Sequence, residues 1–311
     1  MMLGLAGSGR SPSSLAEKAG RADDLLRSCV LCEHRCRVAR SGSERGQCGC
    51  DSRARAFQEG LLWGEEEFIT PTYALFFAGC NLRCSFCYVA ESNEHVESHE
   101  VVDTAGVAAR LRECDPPPVS FSFIGGEPTV HLPTALRLIS ALRQAQGRPE
   151  RGRGAALPAE LPVVWNSNFY FTPEAAEVLA GSVEVFIADL HFGNDACAHR
   201  VAGAPRYLET VLRNLEWARE VGTLVVRQLV LPGHLECCTR PALHMLADRL
   251  PEVPVHVMTN FLPPEARRIR GGGGVRRGGP QPLEGLDRPL SEEEAAEACQ
   301  LAADLGLRVA E

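Results

Sequence analysis

Three cysteines in one short loop constrain this chain more than any other feature. They are Cys80, Cys84 and Cys87, in C-x3-C-x2-C spacing, and the aromatic residue Tyr88 follows the last. Thiolates are soft ligands that suit iron–sulfur clusters, copper(I) and zinc. A cubane iron–sulfur cluster normally takes four thiolates, so three of them leave one iron without a protein ligand. Such an open corner predicts catalysis on a bound substrate or cofactor; the alternatives are a zinc knot with a distant fourth ligand or three incidental cysteines.

A second group of cysteines precedes this loop. Its members follow a C-x2-C-x3-C-x11-C pattern: Cys29, Cys32, Cys36 and Cys48. His34 and Cys50 are further candidate ligands, and nearby glycines allow the tight turns that a metal loop requires. The pattern predicts a compact metal-stabilised segment that holds zinc or a second iron–sulfur cluster. An unmetallated cysteine-rich loop is the alternative.

Composition favours metal chemistry in a reducing compartment. Of the 311 residues, 13 are cysteines, and an odd number argues against a disulfide framework. Residues 1–25 lack a basic segment followed by a continuous apolar one, so no signal peptide is predicted. No apolar run approaches the length of a membrane span. We therefore expect a cytoplasmic protein without a membrane partner.

Charge and lysine content exclude several functional classes. The net charge is 32 − 40 = −8, which argues against broad nucleic-acid binding. Lys18 is the only lysine in the sequence. A Schiff-base lysine in the core and a Walker A lysine are therefore both excluded.

Apolar runs and helical patterns alternate from residue 73 onward. Buried strands are predicted over 73–77, 119–124, 162–168, 183–189, 225–231 and 255–260, and helices over 104–113, 133–145, 173–180, 205–221 and 239–250. Ser291 and Glu294 predict the capping box of a last helix. Repeated β–α units predict an α/β fold in which a parallel sheet curls into an open, partial (β/α)6 barrel. The predicted organisation is a flexible tail over 1–24, a cysteine-rich metal-binding segment over 25–70, the barrel over 71–265, and a flexible Gly/Arg-rich loop with a C-terminal helix over 266–311.

Polar segments follow the predicted strands, at the edge where parallel strands place their carboxyl ends and where such folds bind ligands. Gly125 and Gly126 allow a ligand to approach the backbone closely, and Glu127 can accept hydrogen bonds from an ammonium group. Asn166 and Asn168 can bond ribose or carboxylate oxygens, or they are simply turn residues.

Three titratable or charged side chains complete the candidate site. Asp189 and His191 follow the fourth strand, and His191 either handles protons near neutrality or is a packed or surface residue. Arg227 lies within an apolar strand and needs an anionic partner, either a bound carboxylate or a neighbouring acidic residue. The remaining cysteines lack ligand spacing and are predicted to be ordinary thiols: Cys114, Cys197, Cys237, Cys238 and Cys299.

The C-x3-C-x2-C loop resembles the signature of the radical S-adenosylmethionine (SAM) enzymes. Over about residues 25–265 the chain is similar to the uncharacterised radical SAM proteins that resemble pyruvate formate-lyase activating enzyme. The resemblance implies a 4Fe–4S cluster on Cys80, Cys84 and Cys87, with SAM chelating the open iron. It implies that Gly125, Gly126 and Glu127 bind the amino group of SAM, and Asn166, Asn168, Asp189 and Arg227 are predicted to join them in binding the cofactor. His191 stands where the glycyl-radical activating enzymes have the lysine of an Asp-x-Lys segment.

The resemblance also implies a reaction. Reductive cleavage of SAM gives a 5′-deoxyadenosyl radical that abstracts a substrate hydrogen, here the Cα hydrogen of a glycine on a glycyl-radical partner. Such an oxidoreductase takes its electron from a donor such as flavodoxin or ferredoxin. One alternative is a radical SAM enzyme that modifies a peptide or small molecule with an auxiliary cluster on the N-terminal cysteines. A non-catalytic metal-binding or redox-sensing protein is the other.

Overall fold

Eight strands form one sheet in the computed structural model, which describes residues 12–145, 160–263 and 285–310. The strands are β1 (Arg55–Leu62), β2 (Thr72–Phe77), β3 (Glu100–Val101), β4 (Ser120–Gly125), β5 (Val163–Ser167), β6 (Val185–Leu190), β7 (Thr223–Leu229) and β8 (Val255–Met258). Their order across the sheet is β3-β1-β2-β4-β5-β6-β7-β8. All pairs from β2 to β8 are parallel, whereas β1 pairs antiparallel with both β2 and β3. The open, mostly parallel α/β sheet confirms the predicted fold class.

Helices connect the parallel strands. They are α1 (Pro12–Arg27), α2 (Ala90–Glu94), α3 (Thr104–Arg112), α4 (Leu132–Ala145), α5 (Pro173–Leu179), α6 (Asp195–Ala202), α7 (Tyr207–Val221), α8 (Arg240–Arg249) and α9 (Glu292–Asp304). Single turns of tighter or wider helix occupy Glu67–Ile69, Val96–Ser98, Pro128–His131 and Leu235–Thr239. No helix in the described part of the chain combines the length and the apolar character that a membrane crossing requires.

Side chains alternate between the two faces of the parallel strands, because successive residues of a strand point to opposite sides. One face packs with the helices in the main core and carries the large residues Phe121, Phe123, Trp165, Phe186 and Val226. The other face carries a smaller apolar group in which Ile69 packs with Val164, Val185, Ile187 and Val225. We call this second face, opposite the helices, the inner face of the sheet. Ile69 precedes β2 and therefore fills the amino-terminal end of the inner face.

The first described helix differs from the prediction. Residues 1–24 were expected to be a flexible tail, but residues 12–24 lie in α1, which packs against α4 and α5. Its buried positions recur every three or four residues, which places them on one helix face: Leu15, Ala19, Ala22 and Leu26. Two of the four are alanines, so the apolar stripe is weak in the sequence. Residues 1–11 lie outside the described residues.

The two ends of the sheet were predicted less completely than its centre. β1 lies within the cysteine-rich segment, where no strand was predicted, and it extends the sheet beyond β2. At the other end, α9 begins with the predicted capping box of Ser291 and Glu294. Ala298 and Ala302 of this helix are buried in the core. The predicted Gly/Arg-rich loop over 266–284 lies outside the described residues.

Candidate active site and metal centres

The cluster loop, residues 79–88, begins where β2 ends. Gly79 has a φ of +95°, and a Cβ there would lie only 2.2 Å from Cys50 Sγ, so the turn requires glycine. The thiols of Cys80, Cys84 and Cys87 follow, each partly buried. Burial raises the pKa of Cys80, and the charges of Glu127, Cys84 and Cys87 add to this effect. Three thiols so close together need a cationic partner to ionise, and this donor set fits a metal cluster.

Asparagine side chains surround the sulfurs of the cluster loop. Asn168 Nδ2 donates to Cys80 Sγ at 3.6 Å and to Asn81 Oδ1 at 2.8 Å. Asn93 Nδ2 donates to Cys87 Sγ at 3.6 Å. Hydrogen bonds to a ligating sulfur orient it and tune the redox potential of the metal. Asn168 was predicted as a site residue, whereas the other two were not, because asparagine in a loop is usually a turn residue.

Gly125 and Gly126 pack the end of β4 against the start of the cluster loop. Gly126 N–H donates to Phe77 O at 2.8 Å, and Glu127 N–H donates to Gly79 O at 3.0 Å. A Cβ on Gly126 would lie 2.2 Å from Gly79 O, and a Cβ on Gly125 would lie 2.5 Å from the Phe77 backbone. Both positions therefore require glycine for backbone packing, before any ligand is considered.

The carboxylate of Glu127 is fully buried and accepts hydrogen bonds from three donors of the protein. It accepts from Thr129 N–H at 2.9 Å, from the Ser167 hydroxyl at 2.9 and 3.1 Å, and from Asn168 N–H at 3.0 Å. Burial raises the pKa of Glu127, and these hydrogen bonds oppose the rise. The side chain caps the Pro128–His131 turn and ties the end of β4 to the end of β5. Most of its acceptor capacity is thus used internally, and the expected bond from an ammonium group stays a prediction.

Arg227 lies in a polar layer of the inner face. Its side chain donates to both oxygens of Glu66, at 2.7 and 2.6 Å, and to Glu65 Oε2 at 2.6 Å. Asn166 Nδ2 donates to the same Glu65 oxygen at 3.1 Å. Of the two partners predicted for Arg227, the structure shows the acidic residue of the protein rather than a free position for a bound carboxylate.

This polar layer contains more carboxylates than cations. Asp189 lies opposite Arg227 in the register of β6 and β7, and burial raises the pKa of Asp189 to about 6, an effect that Arg227 opposes. Burial also raises the pKa of Glu65. Burial opposes ionisation of Glu66 as well, yet His256 and Arg227 together lower its pKa to about 2. Three acidic groups around one guanidinium favour the approach of a cationic group.

His191 lies beside the cluster loop. Its ring meets the ring of Phe86 edge to face, with centroids 5.5 Å apart. Its backbone N–H donates to Tyr207 Oη at 3.0 Å. Burial lowers the pKa of His191 to about 4, so the ring is neutral at pH 7, as the alternative of a packed residue predicts. Its Nδ1 is buried without a hydrogen-bond partner among the described residues, and it is therefore available to a ligand.

The four N-terminal cysteines of the predicted second metal site lie together. Burial raises the pKa of Cys32, and the charges of Cys48, Cys29 and Cys36 act in the same direction. A Cβ on Gly46 would lie 3.4 Å from Cys36 Sγ and 3.6 Å from Cys48 Sγ, so both sulfurs lie beside this glycine. The donor set fits a four-thiolate metal centre.

Arg40 is buried beside this centre, at 1% exposure. It donates to Cys29 Sγ at 3.7 Å and to two backbone carbonyls, Asp51 O and Val130 O, each at 2.8 Å. Neutral carbonyls do not compensate the charge of a buried guanidinium. Ionised thiols bound to a metal would supply the missing negative charge.

His34 and Cys50, the two spare ligands, face the cluster loop. His34 Nε2 lies 2.8 Å from Asn81 O. Cys50 Sγ lies 3.8 Å from Ala78 O and 3.7 Å from His131 Nε2. His34 thus joins the N-terminal centre to the cluster loop, and Cys50 lies against Ala78, which precedes that loop, and against Gly79, which begins it.

A third group of donors was missed in the sequence. The ligand atoms of four side chains lie within 4.8 Å of one another: Cys197, His234, Cys237 and Cys238. These three cysteines were predicted to be ordinary thiols because their sequence spacing is not that of metal ligands, yet the structure gathers their sulfurs in one place. Cys197 lies in α6 and the other three follow β7, and the neighbouring carboxyl ends of β6 and β7 bring them together. The local signal was a histidine three residues before a cysteine pair.

Comparisons with known proteins are consistent with this geometry. A family model described as the Radical SAM superfamily matches residues 75–246. The uncharacterized protein MJ0674 of Methanocaldococcus jannaschii is 31% identical over 261 residues, which cover 81% of this chain and 71% of that protein.

Among solved structures, Streptococcus suis SuiB bound to the precursor peptide SuiA has a TM-score of 0.44 and 16% identity, covering 64% of this chain and 39% of SuiB. The chain thus spans about two fifths of the SuiB chain. A mutant of spore photoproduct lyase has a TM-score of 0.49 and 11% identity, covering 100% of this chain and 87% of the lyase.

Proposed function

Because this chain belongs to the radical SAM superfamily, we propose that Cys80, Cys84 and Cys87 hold a 4Fe–4S cluster whose open iron binds SAM. When bound, the two cofactors supply a one-electron reductive cleavage of SAM, and the resulting 5′-deoxyadenosyl radical abstracts a substrate hydrogen atom. The observation that carries the proposal is the group of three partly buried thiols after β2, two of which accept hydrogen bonds from asparagine amides. The chain itself binds, orients and shields the cofactors.

In this proposal the backbone of Gly125 and Gly126, rather than a side chain, meets the amino group of SAM. Glu127 positions that backbone through its internal hydrogen bonds. Asn168 orients Cys80. The proposed role of these residues is to hold a fixed polar surface against the ligand, which lowers the entropy cost of binding.

The polar layer would receive the remaining positive charge of SAM, on its sulfonium. Asp189 is the group best suited to a cationic or hydroxyl donor, because its raised pKa reflects burial beside other carboxylates. Asn166 offers amide hydrogen bonds at the same level. Arg227 is already neutralised by Glu65 and Glu66, so its proposed role is to hold this layer in place. His191, neutral and with a buried free Nδ1, is proposed to touch the cofactor or substrate as a hydrogen-bonding group rather than as a proton shuttle.

The first experiment substitutes one of the three proposed cluster ligands. Anaerobically reconstituted wild-type protein should show 4Fe–4S absorbance and cleave SAM under dithionite. Cys84→Ala should lose about four iron atoms per chain and all SAM cleavage, because two thiolates do not hold the cluster. Cys299→Ala is the matched control, since this exposed thiol lies outside the three cysteine groups. If Cys84→Ala keeps its spectrum and its SAM binding, the proposed catalytic function is wrong, and the hypothesis of a non-catalytic metal-binding protein replaces it.

The finer proposal is that the enzyme activates a glycyl-radical partner and receives its electron from a flavodoxin or ferredoxin. Its support is the motif resemblance to the activating enzymes, with His191 in place of their lysine. The test is electron paramagnetic resonance of a glycyl-radical protein incubated with the enzyme, SAM and a reductant. A glycyl signal that depends on Cys84 supports the proposal, and its absence with active SAM cleavage contradicts it.

A second candidate function is the modification of a peptide or small molecule with an auxiliary cluster. It is favoured by the gathered N-terminal thiols, by buried Arg40 beside them, and by the contact of His34 with the cluster loop. Iron content discriminates the two proposals. About four iron atoms per chain indicate one cluster, with zinc or nothing at the N-terminal site, whereas about eight indicate an auxiliary cluster.

A further inference from the structure

Outside the two groups discussed so far, four donor side chains converge at the carboxyl ends of β6 and β7. Cys197 lies in the first turn of α6, and His234, Cys237 and Cys238 lie in the turn after β7. Cys237 Sγ is 3.7 Å from Cys197 Sγ and 3.9 Å from Cys238 Sγ. His234 Nδ1 is 3.4 Å from Cys237 Sγ and 3.7 Å from Cys238 Sγ.

These spacings match the edges of a tetrahedral zinc site. With Zn–S bonds of about 2.3 Å and Zn–N bonds of about 2.0 Å, a tetrahedron separates two sulfurs by about 3.8 Å and a sulfur from a nitrogen by about 3.5 Å. We propose that Cys197, His234, Cys237 and Cys238 bind one Zn²⁺ as a Cys3His centre. Binding converts the three thiols to thiolates and releases their protons to solvent.

The surroundings suit the charge of such a centre. Three thiolates and one Zn²⁺ carry a net charge of 2 − 3 = −1. Arg200 Nη2 lies 3.5 Å from Cys197 Sγ, and Asn194 Nδ2 lies 3.8 Å from Cys238 Sγ. Asn194 also accepts from Cys197 N–H at 2.7 Å, which fixes the first turn of α6. Donors of this kind stabilise and orient metal-bound thiolates.

Burial and spacing favour a closed mononuclear site over other fates of these thiols. Cys197, His234 and Cys238 are only 3%, 5% and 1% exposed. Four protein donors leave no position for a reacting water, as in structural zinc sites. A cubane cluster would place the sulfurs on separate iron atoms and hence farther apart. A disulfide would bring two sulfurs to about 2.05 Å, and Cys197 and Cys237 are well beyond that distance.

The proposed metal would clamp the start of α6 to the turn before α8. Gly193 lies between His191 and this clamp, and a Cβ on Gly193 would lie 2.1 Å from Cys238 O, so the two segments touch. A zinc ion here would therefore fix the position of the segment that carries His191, whose ring contacts Phe86 of the cluster loop. The proposed zinc site shares no ligand with the cluster loop. Loss of the zinc therefore leaves the three ligands of the cluster loop in place.

The first test counts zinc and iron per chain in the full-length protein purified under reducing conditions. Cys197→Ser and Cys238→Ser should each lose about one zinc per chain relative to wild type, with iron unchanged. Cys114→Ser is the matched control, because this partly buried thiol donates to the backbone carbonyl of Arg110 and lies outside the three cysteine groups. Unchanged zinc in both variants overturns the proposal.

A second measurement uses wild-type protein and does not depend on how the variants fold. Native protein is alkylated before and after treatment with a zinc chelator, and each cysteine is followed by peptide mass spectrometry. Cys197, Cys237 and Cys238 should be protected at first and become reactive together when zinc is removed. Alkylation of these cysteines to the same extent before and after chelation would overturn the zinc site. A Cys197–Cys237 disulfide peptide in freshly prepared protein would also overturn it.

Discussion

Two buried glutamates show how single residues set the chemistry of this molecule. Glu66 has a pKa lowered to about 2, whereas burial raises the pKa of Glu127. The difference lies in their partners, because Glu66 meets the charged Arg227 and Glu127 meets only neutral donors. One side-chain type therefore supports an ion pair in the polar layer and a strand-end cap beside the cluster loop.

At this scale we expect Glu66 to make the protein sensitive to acid. The pKa of Glu66 falls from its usual value of 4.5 to about 2 on folding. Its contribution is therefore complete above about pH 5 and is lost as the pH falls toward 2, with a size of about 3 kcal/mol. Urea unfolding between pH 6 and 2.5 should show a steeper loss of stability in wild type than in Glu66→Gln.

Glu294 is the contrast for this measurement. Arg288 at the surface lowers the pKa of Glu294 to about 2, and solvent and salt screen that pair. The difference between wild type and Glu294→Gln should shrink in high salt, whereas the difference for Glu66→Gln should persist. Equal acid slopes for wild type and Glu66→Gln would contradict the ion-pair account.

For several residues of the candidate site, the sequence predicted what the residue requires but not which partner supplies it. The need of Arg227 for an anion followed from its place in an apolar strand, but its partners Glu65 and Glu66 are distant in sequence and could not be named. Gly125 and Gly126 were identified as close-approach positions, yet the atoms they approach belong to β2 and the cluster loop. The sequence indicates that a small residue is needed at each position. Only the fold identifies the backbone atoms against which that residue packs.

Among the elements, α1 adds an unexpected layer to the helical side of the sheet. Its buried stripe packs on α4 and α5 and joins the main core. Such packing, rather than intrinsic propensity, provides most of the stability of a helix in a protein. The segment before the cysteine-rich region is therefore a structural part of the domain.

Two substitutions in α1 test this role. Leu26→Ala should lower the free energy of unfolding by about 2–4 kcal/mol, because it leaves a cavity in a site that is 2% exposed. Gly20 is exposed in the same helix, and a Cβ there meets nothing within 4 Å. Gly20→Ala should raise the free energy of unfolding by up to about 1 kcal/mol. Chemical unfolding measures both, and a neutral Leu26→Ala would show that α1 is detached.

The parallel strands and their helices could be predicted because each is a long segment with a clear period. α1 was missed because alanines make half of its buried stripe, and β1 was missed because it mixes polar and apolar residues near the end of the sheet. The Cys197 group was missed because its ligands come from two different β–α units. Contacts between distant segments depend on strand order, which local patterns do not encode.

At the scale of the whole molecule, metal binding and sheet formation are separable. Residues 29–50 contain no described helix or extended strand, so we expect their order to depend on a bound metal. Chelation under reducing conditions should expose Arg35, Arg37 and Arg45 to trypsin while the far-ultraviolet circular dichroism stays constant. Arg55 lies in β1 and serves as the internal control that remains protected. Cleavage that is as fast before chelation as after it would contradict this dependence.

The sheet does not close on itself in the described part of the chain, because β3 and β8 stand at its opposite edges. The edge at β8 is finished by the C-terminal segment, because Val309 forms a parallel bridge with Val255 and Ala310 N–H donates to Val255 O. These last residues therefore shield backbone groups of β8 that an uncovered edge strand would offer to another chain.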